Sequence, residues 1–521
     1  MYDVTLGTKR CKGTIHARVY SQHIMSTQLA TCFGRARKEF NGRFIVPYQS
    51  EGIGWMIGRE LSKGTVKGGF LCDEMGLGKT AQTVATILGN RVKHTLIITP
   101  KSIVSQWAAE IGKFAPQLRV VMYDGPDRSK AIKDFQSADV ILAPYSVIYN
   151  RNKKAEPWHT PLHKYEWDRI ILDEGHEIRN RRSKTHKAAV ALRAKHRWVL
   201  SGTPVFNSMM DFVALCAFIH VPQKIVQANP QKIKNIYLLR RTKDDVSKHN
   251  ERLALPKCEF KNIEIEMYPE EAEVYEKAYD EAQKSISDIF KNSVNIAAHN
   301  MNILESLLRV RQASIHPQLY LDGVAIKGEE ELDLFTGRSR KFEVLHEMIK
   351  THPTEKTLIF CQFHTEMDMI QEMLLAGGIA IFRIDGSVDK EERDKRIIEF
   401  KKFHTGCAFI IQIKAGGVGL NLQESTRIYI TAPSWNPATE LQAIGRSHRT
   451  GQTQRVFVRK LIYTGTEDTP SIEQSIMGLQ GHKSTVCAEV LNDKRIEGMI
   501  PITNKRGVTI RDVRNLFSKK K

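Results

Sequence analysis

Paired and clustered cysteines, the usual mark of metal modules and secreted scaffolds, are missing from this chain. Its eight cysteines occur singly, with no CxxC pair and no cysteine–histidine cluster at zinc-ligand spacing. No stretch approaches the roughly 18 apolar residues that a bilayer-spanning helix needs, and the first residues, MYDVTLGTKR, lack the apolar core of a secretory signal. These absences argue against a zinc module and a membrane protein, and they predict a soluble intracellular chain with reduced thiols.

Acidic residues are in short supply relative to basic ones. The 521 residues include 78 Lys and Arg but 58 Asp and Glu, which gives a formal net charge of +20. The excess is concentrated, with eight bases and no acid between Arg179 and Arg197, and nine bases against two acids from Lys494 to Lys521. Such a basic face favours a polyanionic partner, and a solvated basic surface is the alternative.

Short β-branched runs alternate with helical stretches in two parts of the chain, which has no short repeats. The runs lie at 95–99, 139–143, 168–173 and 197–200, and then at 356–361, 380–384, 408–413, 427–431 and 456–459. Between the two groups, apolar residues recur at helical spacing from 268 to 290, and a second helix is predicted over 302–313. The pattern predicts an α/β fold in which two parallel-sheet units flank a helical insertion. The predicted divisions are a basic lead-in (1–43), lobe one (44–250), a helical insertion and linker (251–335), lobe two (336–483) and a basic tail (484–521).

The segment DEMGLGKT, residues 73–80, carries the strongest chemical signal. It follows the apolar run GFLC and precedes the helical run AQTVATIL, so it predicts a strand, a glycine turn and a helix start. Such a turn points backbone N–H groups at a phosphate, while Lys79 would reach the outer phosphates and Thr80 would hold Mg²⁺. Asp73 stands where the common GxxxxGK[ST] pattern has its first glycine. The loop alone therefore allows a nucleotide site or a glycine turn that binds nothing, and the Lys-Thr pair favours the nucleotide.

A pair of acids, Asp173 and Glu174, opens the segment DEGH directly after the apolar run RIIL. The carboxyl edge of a sheet is where ligands of α/β folds bind. One acid can hold Mg²⁺ and the other can orient or deprotonate a water, whereas the alternative is an ordinary helix start with favourable acids. The next run ends in LSGTP (200–204), a turn that could couple the phosphate site to a second lobe.

Two arginines, Arg446 and Arg449, lie in QAIGRSHRTGQ (442–452), three residues apart and on one face if that segment is helical. A glycine turn in IKAGGVGLNLQ (413–423) precedes them. Guanidinium groups delivered from a second domain onto a γ-phosphate are a recurring device of phosphoryl transfer. The alternative is that these arginines face solvent or DNA.

In order and spacing, these segments resemble the helicase-like ATPases of superfamily two and, within it, the Swi/Snf family of double-stranded DNA translocases. The resemblance covers residues 44–483 and implies two RecA-like lobes, ATP and Mg²⁺ as ligands, and Asp73 as a family feature. The segments that carry it are PYQSEGIGWM (47–56), DEMGLGKT, IITPKSIVSQWAAEI (97–111), DEGH, RWVLSGTPVFNS (197–208), LLRRTKDDV (238–246), LLRVRQASIHPQLY (307–320), KTLIFCQF (356–363), and KAGGVGLNLQ through SHRTGQ (414–452).

The resemblance also implies individual roles at the nucleotide site. Gln49 would read the adenine edge, Asp173 would hold the metal and Glu174 would position the attacking water. Arg446 and Arg449 would be the finger pair from lobe two. The other residues of the implied site are Gly76, Gly78, Lys79, Thr80 and Gln442, with Thr80 sharing the Mg²⁺ with Asp173.

Duplex DNA is the partner that the resemblance implies, and a sequence-tolerant motor should hold its backbone. Trp107 could equally belong to the hydrophobic core. The residues implied in nucleic-acid contact are Lys101, Ser102, Gln106, Trp107, Lys414, Asn421 and Trp435.

The segment before WNP departs from the family pattern, because Ala432 and Ser434 stand where an acid and a second Trp are usual. The stretch from 204 to 238 is short, and no bromodomain-like, chromodomain-like or RING-like extension is visible. The leading hypothesis is a monomeric, ATP-driven motor on double-stranded DNA that remodels or displaces bound proteins, with nucleosomes or a transcription or repair complex as substrates. It would work at DNA inside the cell, in the nucleus of a eukaryote or for a virus. The alternatives are a strand-separating helicase on DNA or RNA and an ATP-gated nucleic-acid-binding scaffold.

Overall fold

The structure is a computed structural model that describes most of the chain. The described residues are 27–44, 47–150, 156, 158–202, 209–247, 256–292, 299–325, 334–416, 420–449, 451–478 and 480. Several predictions lie outside them: most of the basic lead-in, Thr203 and Pro204 of LSGTP, part of the glycine turn at 417–419, and the basic tail 484–521.

The first lobe is built on a parallel sheet. In the described residues the sheet has seven strands in the order β3-β4-β2-β5-β6-β1-β7, and every pairing is parallel. The strands are β1 (Gly68–Leu71), β2 (Thr95–Thr99), β3 (Val120–Met122), β4 (Val140–Pro144), β5 (Glu166–Asp173), β6 (Arg193–Leu200) and β7 (Leu238–Leu239).

Both faces of this sheet are covered, which explains the continuous apolar runs in the sequence. All five residues of β2 are buried. Successive side chains of a strand point to opposite faces, and Leu96 and Ile98 accordingly join one hydrophobic cluster whereas Ile97 joins another. The helices of this lobe are α1 (Thr27–Glu39), α2 (Tyr48–Leu61), α3 (Lys79–Gly89), α4 (Val104–Phe114), α5 (Lys184–Ala191), α6 (Met209–Phe218), α7 (Gln223–Ala228), α8 (Pro230–Tyr237) and α9 (Lys243–Ser247). Short 3₁₀ turns lie at Lys101–Ile103, Pro126–Ser137, Tyr145–Val147, Pro161–Lys164 and Gly175–Ile178.

The second lobe is built on a similar sheet. Within the described residues it has six strands in the order β10-β11-β9-β12-β13-β8, again all parallel. The strands are β8 (Cys258–Ile265), β9 (Lys356–Cys361), β10 (Ala380–Ile384), β11 (Cys407–Gln412), β12 (Arg427–Ile430) and β13 (Val456–Tyr463). Its helices are α13 (Arg340–Lys350), α14 (His364–Ala376), α15 (Lys390–Lys402), α16 (Ile413–Gly416) and α17 (Pro437–Ile444). The prediction of two parallel-sheet α/β lobes is confirmed.

Strand β8 lies where the sequence predicted the helical insertion and linker. It pairs in parallel with β13 along its whole length, from Cys258 opposite Val456 to Ile265 opposite Tyr463. At the edge of the sheet most of its residues are half-buried or exposed, so the segment lacks the apolar run that marks a buried strand. The second lobe therefore takes one strand from the segment that precedes the helices.

The insertion itself is helical, as predicted, with α10 (Pro269–Asn292), α11 (Asn300–Ala313) and α12 (Pro317–Ala325). Tyr275 of α10 and Leu307 of α11 belong to one hydrophobic cluster with Ile472 and Ile476. The insertion thus packs against residues 472–478, a helical segment that follows the second sheet. Among the described residues, no helix has both the length and the apolar character that crossing a bilayer would require.

Candidate nucleotide site between the two lobes

The phosphate loop, residues 73–80, connects β1 to α3 at the carboxyl edge of the first sheet. Gly76 and Gly78 have φ angles of 90° and 72°, in the left-handed region that side chains rarely adopt. A Cβ atom at Gly78 would also lie 2.5 Å from Nε2 of Gln49. Glycine is required at this position both by the backbone conformation and by the close approach of α2.

Lys79 is the first residue of α3, and its ammonium points back into the phosphate loop. Nζ donates to the backbone oxygen of Asp73 at 2.8 Å and to that of Glu74 at 3.4 Å. A Cβ atom at Gly202, the glycine of LSGTP, would lie 3.0 Å from the same Nζ. The loop carbonyls therefore hold the ammonium of Lys79 at a position where a phosphate could replace them as its partner. The turn after β6 packs beside the same ammonium.

Asp73, the residue that departs from the general phosphate-loop pattern, is completely buried. Its carboxylate forms an ion pair with Arg241, whose Nε donates to Oδ1 at 3.0 Å and whose Nη2 contacts Oδ2. It also accepts from the backbone N of Arg241 at 3.1 Å and from Nε2 of Gln82 at 3.0 Å. Asp73 thus fastens the loop to the segment that follows β7.

Asp173 is the last residue of β5 and lies on the same edge of the sheet. Its Oδ2 accepts from Nε1 of Trp107 at 2.7 Å, and its Oδ1 accepts from the backbone N of Glu174 at 2.9 Å. Burial and the neighbouring charge of Glu174 raise the pKa of Asp173 to about 6, while Trp107 and Lys79 act in the opposite direction. A nearby cation would favour the ionised carboxylate.

Glu174 has a left-handed backbone, with φ 49° and ψ 50°. A non-glycine residue in this region stores strain, and such strain is common at functional sites. Burial acts to raise its pKa, but His176, Lys79 and Arg446 together lower it. Its buried Oε2 lies 3.3 Å from Nδ1 of His176, an ion-pair distance without hydrogen-bond geometry. The cations around Glu174 therefore favour its ionised carboxylate, and His176 lies beside one of its oxygens.

The arginine loop, residues 445–449, follows the end of α17 at Ile444. Arg446 lies in a turn and Arg449 in a bend, so the helix that would place both on one face is not formed there. Arg446 is buried, and burial lowers its pKa to about 10 although the charge of Glu174 favours the cation. Burial also lowers the pKa of Arg449, and the carboxylate of Glu110 on α4 opposes that shift. Each arginine of lobe two therefore lies within the field of an acid from lobe one.

Direct contacts join the arginine loop to the first lobe. Nζ of Lys243 donates to the backbone oxygen of His448 at 2.8 Å and lies 3.4 Å from Oε1 of Glu74. A Cβ atom at Gly445 would lie 3.5 Å from Cε of Met75 in the phosphate loop. The phosphate loop, the acid pair and the arginine loop thus form one site.

The remaining predicted nucleotide residues lie at or near this site. Gln49 is buried in the first turn of α2, against Gly78. Thr80 is the second residue of α3, and Gln442 lies in the last turn of α17, before the arginine loop. Their contacts with a nucleotide stay predictions.

The predicted nucleic-acid residues divide into exposed and buried groups. Trp107 is 2% exposed and donates a hydrogen bond to Asp173. It therefore lies in the hydrophobic core, where its ring is not accessible to DNA in this conformation. Trp435 is half-buried, with the guanidinium of Arg311 lying 5.5 Å from its ring centroid. The exposed residues are Lys101, Ser102 and Gln106 after β2, and Lys414 and Asn421 after β11.

The sequence does not single out Arg241 and Lys243, although both lie in LLRRTKDDV, one of the segments that carry the family resemblance. Their importance depends on pairing across about 170 residues, which β1 and β7 bring together. The sequence feature that could have indicated them is the largely basic run RRTK (240–243), directly after β7.

Two domain families match the chain. Residues 48–229 and 222–319 match the SNF2-related domain, and residues 340–451 match the helicase conserved C-terminal domain. The first family spans more than half of the chain, and the two together cover both lobes.

Relatives in viruses, bacteria and archaea resemble the chain over most of its length. A probable global transactivator of Orgyia pseudotsugata multicapsid polyhedrosis virus is 28% identical over 470 residues, which are 86% of this chain and 91% of the viral protein. A putative ATP-dependent helicase/translocase of Bacillus subtilis (strain 168) is 31% identical over 510 residues, which are 91% of this chain but 50% of that protein. A solved SWI2/SNF2 ATPase core of Sulfolobus solfataricus in complex with dsDNA is 27% identical, with 92% of this chain and 98% of that one covered and a TM-score of 0.38. The chain spans most of the viral relative and half of the bacterial one.

The resemblance stated from the sequence is therefore confirmed. The phosphate loop and the acid pair lie in the SNF2-related match, and the arginine loop lies in the C-terminal match. The chain belongs to the SNF2-related family of helicase-like ATPases.

Proposed function

We propose that this protein is a DNA-dependent ATPase that moves along double-stranded DNA without separating the strands, and so remodels or displaces DNA-bound proteins. The observation that carries this proposal is the split site. Lys79, Asp173 and Glu174 come from lobe one, and the charge of Arg446 from lobe two acts on Glu174. Hydrolysis would then depend on how the lobes meet, and a partner that spans both lobes could control it.

Each residue has a task that follows from its chemistry. Lys79 would leave the loop carbonyls for the outer phosphates, and Glu174 would orient and deprotonate the attacking water. Arg446 and Arg449 would neutralise the charge that develops on the γ-phosphate. These groups argue against a scaffold that hydrolyses little, because the complete set is present.

The site also fits Mg²⁺. Oxygen ligands suit this cation, which usually keeps several waters and takes one or two carboxylates with substrate phosphates. Thr80 and Asp173 provide a hydroxyl and a carboxylate. The described residues contain no group of three or more acidic, histidine or cysteine side chains that could hold a metal ion without a nucleotide. Mg²⁺ held by Thr80 and Asp173 would neutralise negative charge on the β- and γ-phosphates.

Duplex DNA is proposed as the partner because of exposed residues on both lobes. Lys101 follows β2 and Lys414 follows β11, at the carboxyl edges of the two sheets. Both are exposed, as are Ser102, Gln106 and Asn421. With a net charge of +20, these residues favour contacts to the phosphate backbone, which carry no sequence information.

The physiological substrate is proposed as a protein bound to DNA, either a nucleosome or a transcription or repair complex. Relatives with 26–28% identity carry names such as helicase-like transcription factor, probable global transactivator and DNA repair protein. The protein would act as a monomeric motor at DNA inside the cell, either in a eukaryotic nucleus or as a viral protein.

Two displacement assays test the proposal together. Triplex displacement reports movement along a duplex, whereas a forked substrate reports strand separation. We expect ATP-dependent triplex displacement without unwinding of the fork, and we expect Lys79→Ala to abolish displacement. Unwinding of the fork would support the strand-separating helicase, and no displacement despite active hydrolysis would contradict translocation.

A further inference from the structure

We propose that Lys243 is a positioning residue that couples the phosphate loop of lobe one to the arginine loop of lobe two. This inference rests on the proposed function and adds a residue and a route to it. The hydrogen bonds and the ion pair of Lys243 reach the phosphate loop at Glu74 and the arginine loop at His448, and its charge also interacts with that of Arg449.

The route begins where the segment after β7 pairs with the entrance of the phosphate loop. The backbone N of Cys72 donates to the oxygen of Leu239 at 2.7 Å, and the backbone N of Glu74 donates to the oxygen of Arg241 at 2.9 Å. The backbone N of Lys243 then donates to Oε2 of Glu74 at 2.9 Å. Three hydrogen bonds therefore tie residues 239–243 to the phosphate loop and its entrance.

A local cap fixes the chain at Lys243. The hydroxyl of Thr242 donates to Oδ2 of Asp245 at 2.8 Å, and the backbone N of Thr242 donates to the same oxygen at 3.0 Å. The backbone N of Asp245 returns a bond to the Thr242 hydroxyl at 3.2 Å. These reciprocal bonds resemble a capping box and set the direction in which the Lys243 side chain leaves the backbone.

The side chain of Lys243 crosses to the second lobe. Its Nζ donates to the backbone oxygen of His448, the residue just before Arg449. The imidazole Nε2 of His448 lies 2.9 Å from the backbone oxygen of Pro256, at the start of the second lobe. The arginine loop is thus held from both sides at His448.

Glu74 links the two lysines of the site. Its backbone oxygen accepts from Lys79 and its carboxylate pairs with Lys243. Burial lowers the pKa of Lys243, while the charge of Glu74 opposes that shift. When Lys79 moves toward a phosphate, the loop at Glu74 loses one bond, and the remaining pair with Lys243 transmits the change to His448.

The test compares Lys243→Met with wild type in steady-state ATP hydrolysis and in equilibrium binding of a fluorescent ATP analogue. Because Lys243 acts on the arginines and not on the nucleotide, we expect kcat to fall about tenfold and KM to change less than about twofold. Lys243→Arg should recover much of kcat, since it restores a cationic donor. Lys232→Met, at an exposed position of α8, is the matched control and should behave as wild type.

A double-mutant cycle with Glu74→Gln separates coupling from a general loss of stability. Coupled residues give non-additive effects on kcat, so the double variant should resemble Lys243→Met alone. Additive losses, an unchanged kcat in Lys243→Met, or a fall in nucleotide binding that parallels a lower unfolding temperature would overturn the proposal. If duplex DNA fails to stimulate wild type, the proposed function fails, whereas the effect of Lys243→Met on basal hydrolysis still tests the coupling.

Discussion

Nε1 of Trp107 donates a hydrogen bond to Oδ2 of Asp173 at 2.7 Å, so a tryptophan expected at DNA orients the acid expected at the metal. The bond crosses from α4 to the end of β5. It favours the ionised carboxylate, which burial disfavours. Partners of metal ligands commonly contribute to metal affinity by this kind of orientation.

Trp107→Phe should therefore weaken the apparent affinity for Mg²⁺ in ATP hydrolysis by about tenfold, because phenylalanine keeps the packing but removes the hydrogen-bond donor. The acid limb of the pH–rate profile should also move to higher pH, since the bond lowers the pKa of Asp173. Hydrolysis as a function of free Mg²⁺ and of pH measures both effects. Trp158→Phe, at an exposed tryptophan, is the control. A weaker apparent affinity for DNA with unchanged Mg²⁺ dependence would instead favour the nucleic-acid role of Trp107.

Asp73→Gly restores the general phosphate-loop pattern, yet it should destabilise the protein. The change leaves Arg241 largely buried without its carboxylate, and breaking a buried ion pair in this way costs about 3–5 kcal/mol. Thermal unfolding should show a markedly lower midpoint. Glu39→Gln, which removes a partly exposed ion pair with Arg91, should cost about 1 kcal/mol or less.

Removing both buried partners tests the same explanation. In the double variant Asp73→Gly with Arg241→Met, no buried cation is left without a partner, so much of the lost stability should return. A double variant as unstable as the sum of the two single changes would show that Asp73 stabilises the loop by other means.

DNA binding should depend on salt through residues of both lobes. Lys101→Ala and Lys414→Ala should each reduce the slope of log K against log salt by about one, and equally on duplexes of unrelated sequence. Lys350→Ala, at the end of α13, should leave the slope unchanged. Equal slopes in all variants would place the DNA elsewhere on the protein.

Acid should destabilise the junction between the helical insertion and the second lobe through His316, whose ring packs on Phe342 of α13. Burial lowers its pKa to about 4 in the fold, so the unfolded chain binds the proton more tightly. The contribution of His316 is complete above pH 6.5 and is lost as the pH falls toward 4. At pH 5 the loss is about 2 kcal/mol relative to pH 7.5.

His316→Asn should show a smaller acid loss, because an amide does not bind a proton in this pH range. The amide oxygen can still accept the bond that Nδ1 takes from the backbone N of Gln318. Urea unfolding at the two pH values measures the difference. An identical acid loss in wild type and variant would mean that other groups control it.

The sequence was most informative where strands are buried on both faces. The runs at 95–99 and 356–361 match the buried strands β2 and β9 at every residue. The run at 380–384 matches β10, a half-buried edge strand whose residues are mostly apolar. Strand β8 was missed because an edge strand alternates with polar residues, and β7 because two residues carry no detectable pattern. The phosphate loop and the acid pair could be found because each follows a buried strand directly in the sequence.

Relationships between distant residues could not be predicted in the same way. The sequence gives no distance between Trp107 and Asp173. Only the fold, which brings α4 to the end of β5, distinguishes a core position for the ring from a contact with DNA. The same applies to Asp73, whose partner Arg241 is brought near by the pairing of β1 with β7. The prediction that Arg446 and Arg449 share one face required a helix, but the helix α17 ends at Ile444, before both of them.

The most direct test of the split site is steady-state ATP hydrolysis with and without duplex DNA in wild type, Lys79→Ala and Arg446→Ala. Single-stranded DNA and RNA serve as parallel controls. We expect duplex DNA to stimulate wild type strongly, and both variants to lose hydrolysis although they lie in different lobes. Hydrolysis by wild type that is the same with and without duplex DNA, or full activity of Arg446→Ala, would contradict an active site completed from lobe two.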